Sequence, residues 1–124
     1  MEIIISNSGS KPIYEQIADQ LKDAMLAGEL CAGDQLPSIR ALANDLRVSV
    51  ITTKRVYQDL ETQGFIHTVQ GKGSFVSQGS QGLLQERRLM QIEDDLRSAL
   101  AHAATANVDV ASLHDMLDAL VEEE

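Results

Sequence analysis

Apolar residues fall along this chain at two kinds of spacing, and the switches between them mark out its elements. Ile13, Ile17, Leu21 and Met25 recur every four residues, Pro12 suits the first turn of the helix they imply, and Gly28 stops it. Ile39, Leu42, Ala43 and Leu46 follow the i, i+3, i+4, i+7 order of a short second helix, which Ser38 can cap and before which Pro37 disfavours helix. Arg47-Val48 then predicts a tight turn, Ser49 caps a third helix running to about Gln63, and Gly64 ends it. On this helix Val56 and Leu60, with Val50 or Thr53, face inward, which leaves Thr52, Lys54, Arg55 and Gln58 for solvent or a partner. Helical spacing gives way to alternation at Phe65-Ile66-His67-Thr68-Val69. Gly71-Lys72-Gly73 supplies a turn, and Ser74-Phe75-Val76 returns as the other strand of a hairpin. Ahead of all this, Glu2-Ile3-Ile4-Ile5 is short, β-branched and bounded by Ser6-Asn7-Ser8-Gly9, the form of an edge strand. Leu30 to Gln35 reads as a loop.

Two capped helices joined by a three-residue turn, each with one apolar face, have the sequence form of a helix-turn-helix, and a hairpin directly after the second makes a wing. Ser77 to Gly82 is all Ser, Gly and Gln and predicts a hinge. Beyond it Leu89, Ile92, Leu96, Leu100 and Ala103 form one helical stripe that Asn107 can stop; Asp109 can cap a last helix with Val110, Leu113, Leu117 and Leu120 on one side. The expected fold is therefore mostly α with a small β wing: a winged helix-turn-helix over 1–77, a linker over 78–83, and a helical tail over 84–124. Two amphipathic helices cannot bury both apolar faces on each other, so Leu89, Ile92, Leu96, Leu100, Leu113, Leu117 and Leu120 are read as the dimerisation face of a homodimer.

Composition sharpens this division. At 124 residues with 3% aromatics and no Trp, the chain must build its core from Ile, Leu, Val, Met and Ala, which suits packed helices. The net charge of −9 looks hostile to nucleic acid, but it is unevenly spread. Residues 35–76 carry five basic against three acidic side chains, a local +2, whereas residues 79–124 carry three against ten, or −7. No apolar run approaches the roughly 18 to 20 residues that span a bilayer, and Met1-Glu2-Ile3 has no basic lead-in, so a cytoplasmic protein with no membrane partner is expected. Cys31 has no partner for an internal disulfide and is expected to act as a small, at least half-buried apolar residue. His67, His102 and His114 show no ligand spacing, and no nucleophile-base or paired-carboxylate arrangement stands out; a metal, a cofactor and an enzymatic activity are not expected.

Several segments resemble the GntR family of bacterial regulators. They are Gly28-Glu29-Leu30, the run from Gly33 to Ala43, Val48-Ser49, and Gly71 to Val76, in the family's order and spacing between Pro12 and Val76. Ile39 between Ser38 and Arg40, together with a tail of only two helices, is similar to the YtrA subfamily. The resemblance implies a dimer on a near-palindromic DNA operator, the recognition helix in the major groove and the wing tip at the adjacent minor groove. It carries Arg40, Ser49, Thr52, Lys54, Gly71 and Lys72 over as DNA-binding positions. Where many relatives place Arg just after the Ser of the turn, Val50 and Ile51 stand here, and neither can donate to guanine.

By charge and position Arg40, Lys54 and Arg55 suit phosphates or base edges, and Ser38 and Ser49 combine capping with helix N-termini that favour phosphate. A compact dimer on a promoter can occlude polymerase, so repression is expected. The tail is short for an enclosed ligand pocket, and a small-molecule effector, if one acts, would sit at the dimer interface or hinge. The rival reading is a protein-interaction adaptor built on a winged helix, without DNA binding.

Overall fold

The computed structural model describes residues 2–123. In chain order the elements are α1 (Ile13–Leu26), α2 (Ile39–Leu46), α3 (Val50–Thr62), β1 (Ile66–Val69), β2 (Gly73–Val76), α4 (Ser80–Thr105) and α5 (Val110–Glu123). They form two compact units, one ending at Gln85 and the other beginning at Glu86.

In the first unit α3 is central, packing on α1, α2 and β1. The α1 stripe buries Ile17, Leu21 and Met25, and these meet Leu42 of α2, Val56, Tyr57 and Leu60 of α3, and Phe65, Ile66 and Val76 of the hairpin in one apolar core. Ser38 caps α2 by accepting from Ala41 N at 3.1 Å, and Ser49 caps α3 by accepting from Thr52 N at 3.0 Å. Between the helices the chain reverses at Arg47, a non-glycine residue in the left-handed region with φ 56° and ψ 44°. Of the two inward candidates on α3, Thr53 is the buried one, and its hydroxyl donates to Ser49 O at 3.2 Å; Val50 stays 41% exposed.

The hairpin pairs Ile66 with Val76 and Val69 with Gly73 in antiparallel register. Its return strand is bonded on both sides, because the stretch expected to be loop runs extended beside it. Gly33 N donates to Val76 O, Val76 N to Asp34 O, and Leu36 N to Ser74 O, each at 2.8–2.9 Å. Buried Leu36 anchors that stretch in the core.

Three expectations are corrected. Residues 2–5 form no strand. Their backbone bonds instead to side chains of α1: Gln20 pairs with the N–H and C=O of Ile4 at 2.8 and 2.6 Å, and Gln16 pairs likewise with Ser6 at 2.8 and 2.9 Å. Two amides one helical turn apart match two residues of an extended chain, so side chains take the place of a neighbouring strand. Second, the linker expected over 78–83 is largely helix, since α4 starts at Ser80. Ser80 is buried and its hydroxyl reaches Phe65 O and Ser77 O, both at 2.8 Å; Gln81 Nε2 donates to Leu26 O at 2.9 Å; Leu84, assigned to the tail, packs in the first unit's core. Polar composition suggested a hinge, but these polar groups bond backbone carbonyls of the first unit and dock the helix start. Third, Cys31 is exposed rather than half-buried, in the turn after α1.

The second unit holds the rest of α4 and all of α5, joined by a turn in which Asn107 takes φ 58°. Asp109 caps α5 by accepting from Ser112 N at 2.9 Å, and that bond holds its carboxyl below the usual value. Ala103 is the one buried residue among the described residues of this unit. None of the described helices is long and apolar enough to cross a membrane.

Candidate nucleic-acid interface

The candidate positions of the first unit lie on three connected features: α2 with its cap, the start of α3, and the hairpin tip. Arg40 leaves the exposed side of α2, Lys54 the exposed side of α3, and Lys72 the tip between the strands. Among the described residues none of these three cations has an ion-pair partner, and no contact draws its charge back into the protein. Some other cations are paired: Lys11 bonds Asp19 at 2.8 Å, and Arg97 bonds Asp94 at 2.9 Å and Glu93 at 3.2 Å.

Arg55 separates from this set. Its guanidinium lies over the Tyr14 ring at 3.7 Å from the centroid and its Nε sits 4.0 Å from Asp59, so it links α3 to α1 within the unit. Thr52 is half-buried and bound into the cap, its Oγ1 accepting from the Ser49 hydroxyl at 2.8 Å while its own N–H donates to Ser49 Oγ. Ser38 and Ser49 are both exposed at the ends of the helices they cap.

The tip is built to hold a fixed shape. Gly71 and Gly73 take φ 79° and 127°, conformations that favour glycine, and Lys72 N closes the turn on Val69 O at 2.9 Å. Gln35 Nε2 donates to Lys72 O at 2.8 Å, and a Cβ on Gly73 would come within 2.7 Å of that same nitrogen. The glycine thus admits the glutamine that ties the tip to the extended stretch before α2.

Two structural residues here escaped the pattern reading. Gln35 carried no signal, because its partner is 37 positions away. Tyr57 did carry one, lying with Thr53, Val56 and Leu60 in an i, i+3, i+4, i+7 stripe. Its hydroxyl donates to Pro37 O at 2.6 Å, fastening the middle of α3 to the start of α2, and burial pushes the phenol up to about 12.

In the second unit the expected dimerisation residues face solvent. Leu89, Ile92, Leu96, Leu100, Leu117 and Leu120 are each about half exposed, and Leu113 is half-buried. An apolar groove of about 440 Å³ runs between the two helices past Leu96, Leu100, Leu113 and Leu117. His67 stacks on Phe75 at 5.9 Å, His102 and His114 are exposed, and no three His, Cys, Asp or Glu among the described residues gather as a metal site.

The family described as "Bacterial regulatory proteins, gntR family" matches residues 13–76, the span from α1 to the end of the wing. The chain is similar over almost its whole length to the HTH-type transcriptional repressor YtrA of Bacillus subtilis (strain 168), with 35% identity over 115 residues, 93% of this chain and 88% of that protein. Among solved structures it resembles YtrA from Sulfolobus acidocaldarius, a GntR-family transcription factor, at 37% identity and a TM-score of 0.62, covering 80% of this chain and 97% of that one. A further likeness is to the DNA-binding domain of AraR in complex with operator ORX1, at 26% identity and a TM-score of 0.56, covering 62% of this chain and 96% of that one.

Proposed function

The chain belongs to the gntR family of bacterial regulatory proteins and is YtrA-like within it, and from that premise we propose that it is a repressor that binds a near-palindromic operator as a homodimer. It is a transcriptional regulator with a DNA-binding domain, of a family of regulators rather than enzymes. The observation that carries the finer reading is that Arg40, Lys54 and Lys72 are exposed and unneutralised in a chain of net charge −9. On this reading α3 lies in the major groove with Lys54 on base edges or phosphate, Arg40 and the caps Ser38 and Ser49 address the backbone, and Gly71-Lys72 reaches the adjacent minor groove. Thr52 shapes the start of α3 through its bond to Ser49. Arg55, with its partners on α1 and α3, braces the recognition helix.

Dimerisation is supported by how little the second unit buries on its own: among its described residues only Ala103 is buried. Helices that leave Leu96, Leu100, Leu117 and Leu120 half exposed carry an apolar face that a second copy can cover. Two helix-turn-helix units about one turn of DNA apart, about 34 Å, read a palindrome. Repression is supported by the likeness to the Bacillus subtilis repressor.

The test is fluorescence-anisotropy titration of the full chain against duplex DNA from upstream of its own gene, at several salt concentrations. Arg40→Ala and Lys54→Ala are expected to weaken binding by about 1 to 3 kcal/mol each where they touch bases, and Lys72→Ala to reduce the salt slope by about one. Unchanged affinity and slope in all three variants would remove this interface. An adaptor that binds only protein predicts no salt-dependent DNA affinity at all.

A further inference from the structure

At the start of α3 two apolar side chains stand in solvent. Ile51 is 82% exposed, more than any other large apolar side chain among the described residues of the unit, and Val50 beside it is 41% exposed. Neither serves the core, which takes Thr53, Val56, Tyr57 and Leu60 from this helix. Nor do β-branched residues help the helix itself, since they lose side-chain freedom against the preceding turn. Ser49 immediately before them and Lys54 one turn later flank the pair with polar, solvent-facing groups.

We infer that Ile51, backed by Val50, is a base-reading contact of α3 and that it reads thymine through the C5-methyl group in the major groove. The inference rests on the DNA reading above and adds to it the base composition of the half-site. Neither side chain can donate or accept a hydrogen bond. Against guanine O6 and N7, the adenine N6 and N7 pair or cytosine N4, Ile51 would strip water from polar atoms and return no partner. Among the base edges of the major groove, only thymine presents an apolar group. The flanking cation Lys54, with Arg40 on α2, supplies attraction to phosphate that holds the apolar tip against the bases, and the tip then favours thymine-bearing sequences over the rest.

The experiment starts from a random-sequence duplex pool enriched on the full chain. The enriched duplex is then resynthesised with uracil at one thymine position at a time, a change that deletes a single methyl and leaves the pairing edge intact. The wild type is expected to lose about fourfold in affinity at one or two positions in each half-site, the worth of one buried methyl-sized group. Ile51→Ala, whose fold is checked by circular dichroism, is expected to bind the thymine and uracil duplexes equally at those positions. Indifference of the wild type to uracil at every position, or a uracil penalty that persists in Ile51→Ala, overturns the inference while leaving DNA binding intact. A pool that yields no enriched sequence overturns the DNA reading, and this inference with it.

Discussion

Replacing Tyr57 with Phe removes one hydroxyl from the joint of the helix-turn-helix. That hydroxyl donates to Pro37 O at 2.6 Å, and the residue is 4% exposed. Phe keeps the ring and its burial, so the change isolates the hydrogen bond. A bond of this kind contributes about 1 kcal/mol net, and a half-buried carbonyl left without its donor raises the cost, giving an expected loss of about 1 to 2 kcal/mol. Urea unfolding of the full chain at one fixed concentration reads this as a lower midpoint at unchanged slope. The pH dependence supplies a second, independent check. Burial pushes the Tyr57 phenol up to about 12, against about 10 in an unfolded chain. Above the lower value the unfolded chain has released a proton that the native state still holds. The contribution of Tyr57 is therefore full below about pH 10 and is lost as pH rises toward about 12. Lys11, whose ammonium Asp19 holds above its usual value, titrates in the same alkaline range in both proteins and cancels in the comparison. A rise from about 10 to about 12 is worth about 2.7 kcal/mol, more than the hydroxyl's advantage, so wild type should exceed Tyr57→Phe at neutral pH, and the difference should shrink to zero and reverse as pH rises from about 10 toward about 12. No difference at neutral pH, or a difference that survives the alkaline window unchanged, would refute the assignment of a buried, donating phenol.

Two further outcomes are expected. Gly73→Ala forces a side chain into φ 127° with its Cβ 2.7 Å from Gln35 Nε2, so the hairpin tip should loosen at a cost of about 1 to 3 kcal/mol, seen as a lowered melting temperature and weaker DNA binding; an unchanged melting temperature would show that Gln35 does not hold the tip. Leu96→Asp and Leu117→Asp place charge on the exposed apolar face of the second unit, and sedimentation equilibrium should then report half the wild-type mass while circular dichroism retains the helices; an undisturbed dimer would relocate the interface.

What the sequence disclosed depended on the range of the forces involved. Caps and stripes are local, so Ser38, Ser49, Asp109 and the α1 face could be read from neighbours in the chain, and Asn107 marked the turn it occupies. Interactions that join distant segments leave no such period. Gln16 and Gln20 look like ordinary polar residues on a helix until the extended chain at Ile4 and Ser6 is laid beside them. The Ser-Gly-Gln stretch misled for the same reason: Ser80 and Gln81 find carbonyls at Phe65 and Leu26, 15 and 55 residues away. Within the candidate interface, charge and exposure could be anticipated for Arg40 and Lys54, but the fate of Arg55 depended on Tyr14, which only packing of α1 against α3 brings near.

The acidic balance of the chain is compatible with the proposed role because electrostatics act over short distances. At physiological salt the Debye length is about 8 Å, so a phosphate near α3 responds mainly to Lys54, Arg40 and their immediate neighbours rather than to the charge of the whole chain. Asp59 on the same helix pairs with Arg55, which reduces its repulsion of a phosphate. Whatever repulsion the residue 79–124 segment contributes, with its ten acidic against three basic side chains, acts on any duplex alike. Base contacts such as that inferred for Ile51 act only on the matching one. Selection of an operator among a vast excess of other DNA depends on the ratio of the two affinities rather than on either alone. On the proposed reading, an anionic chain with a small cationic surface and an apolar tip at Ile51 lowers the general term while keeping the specific one.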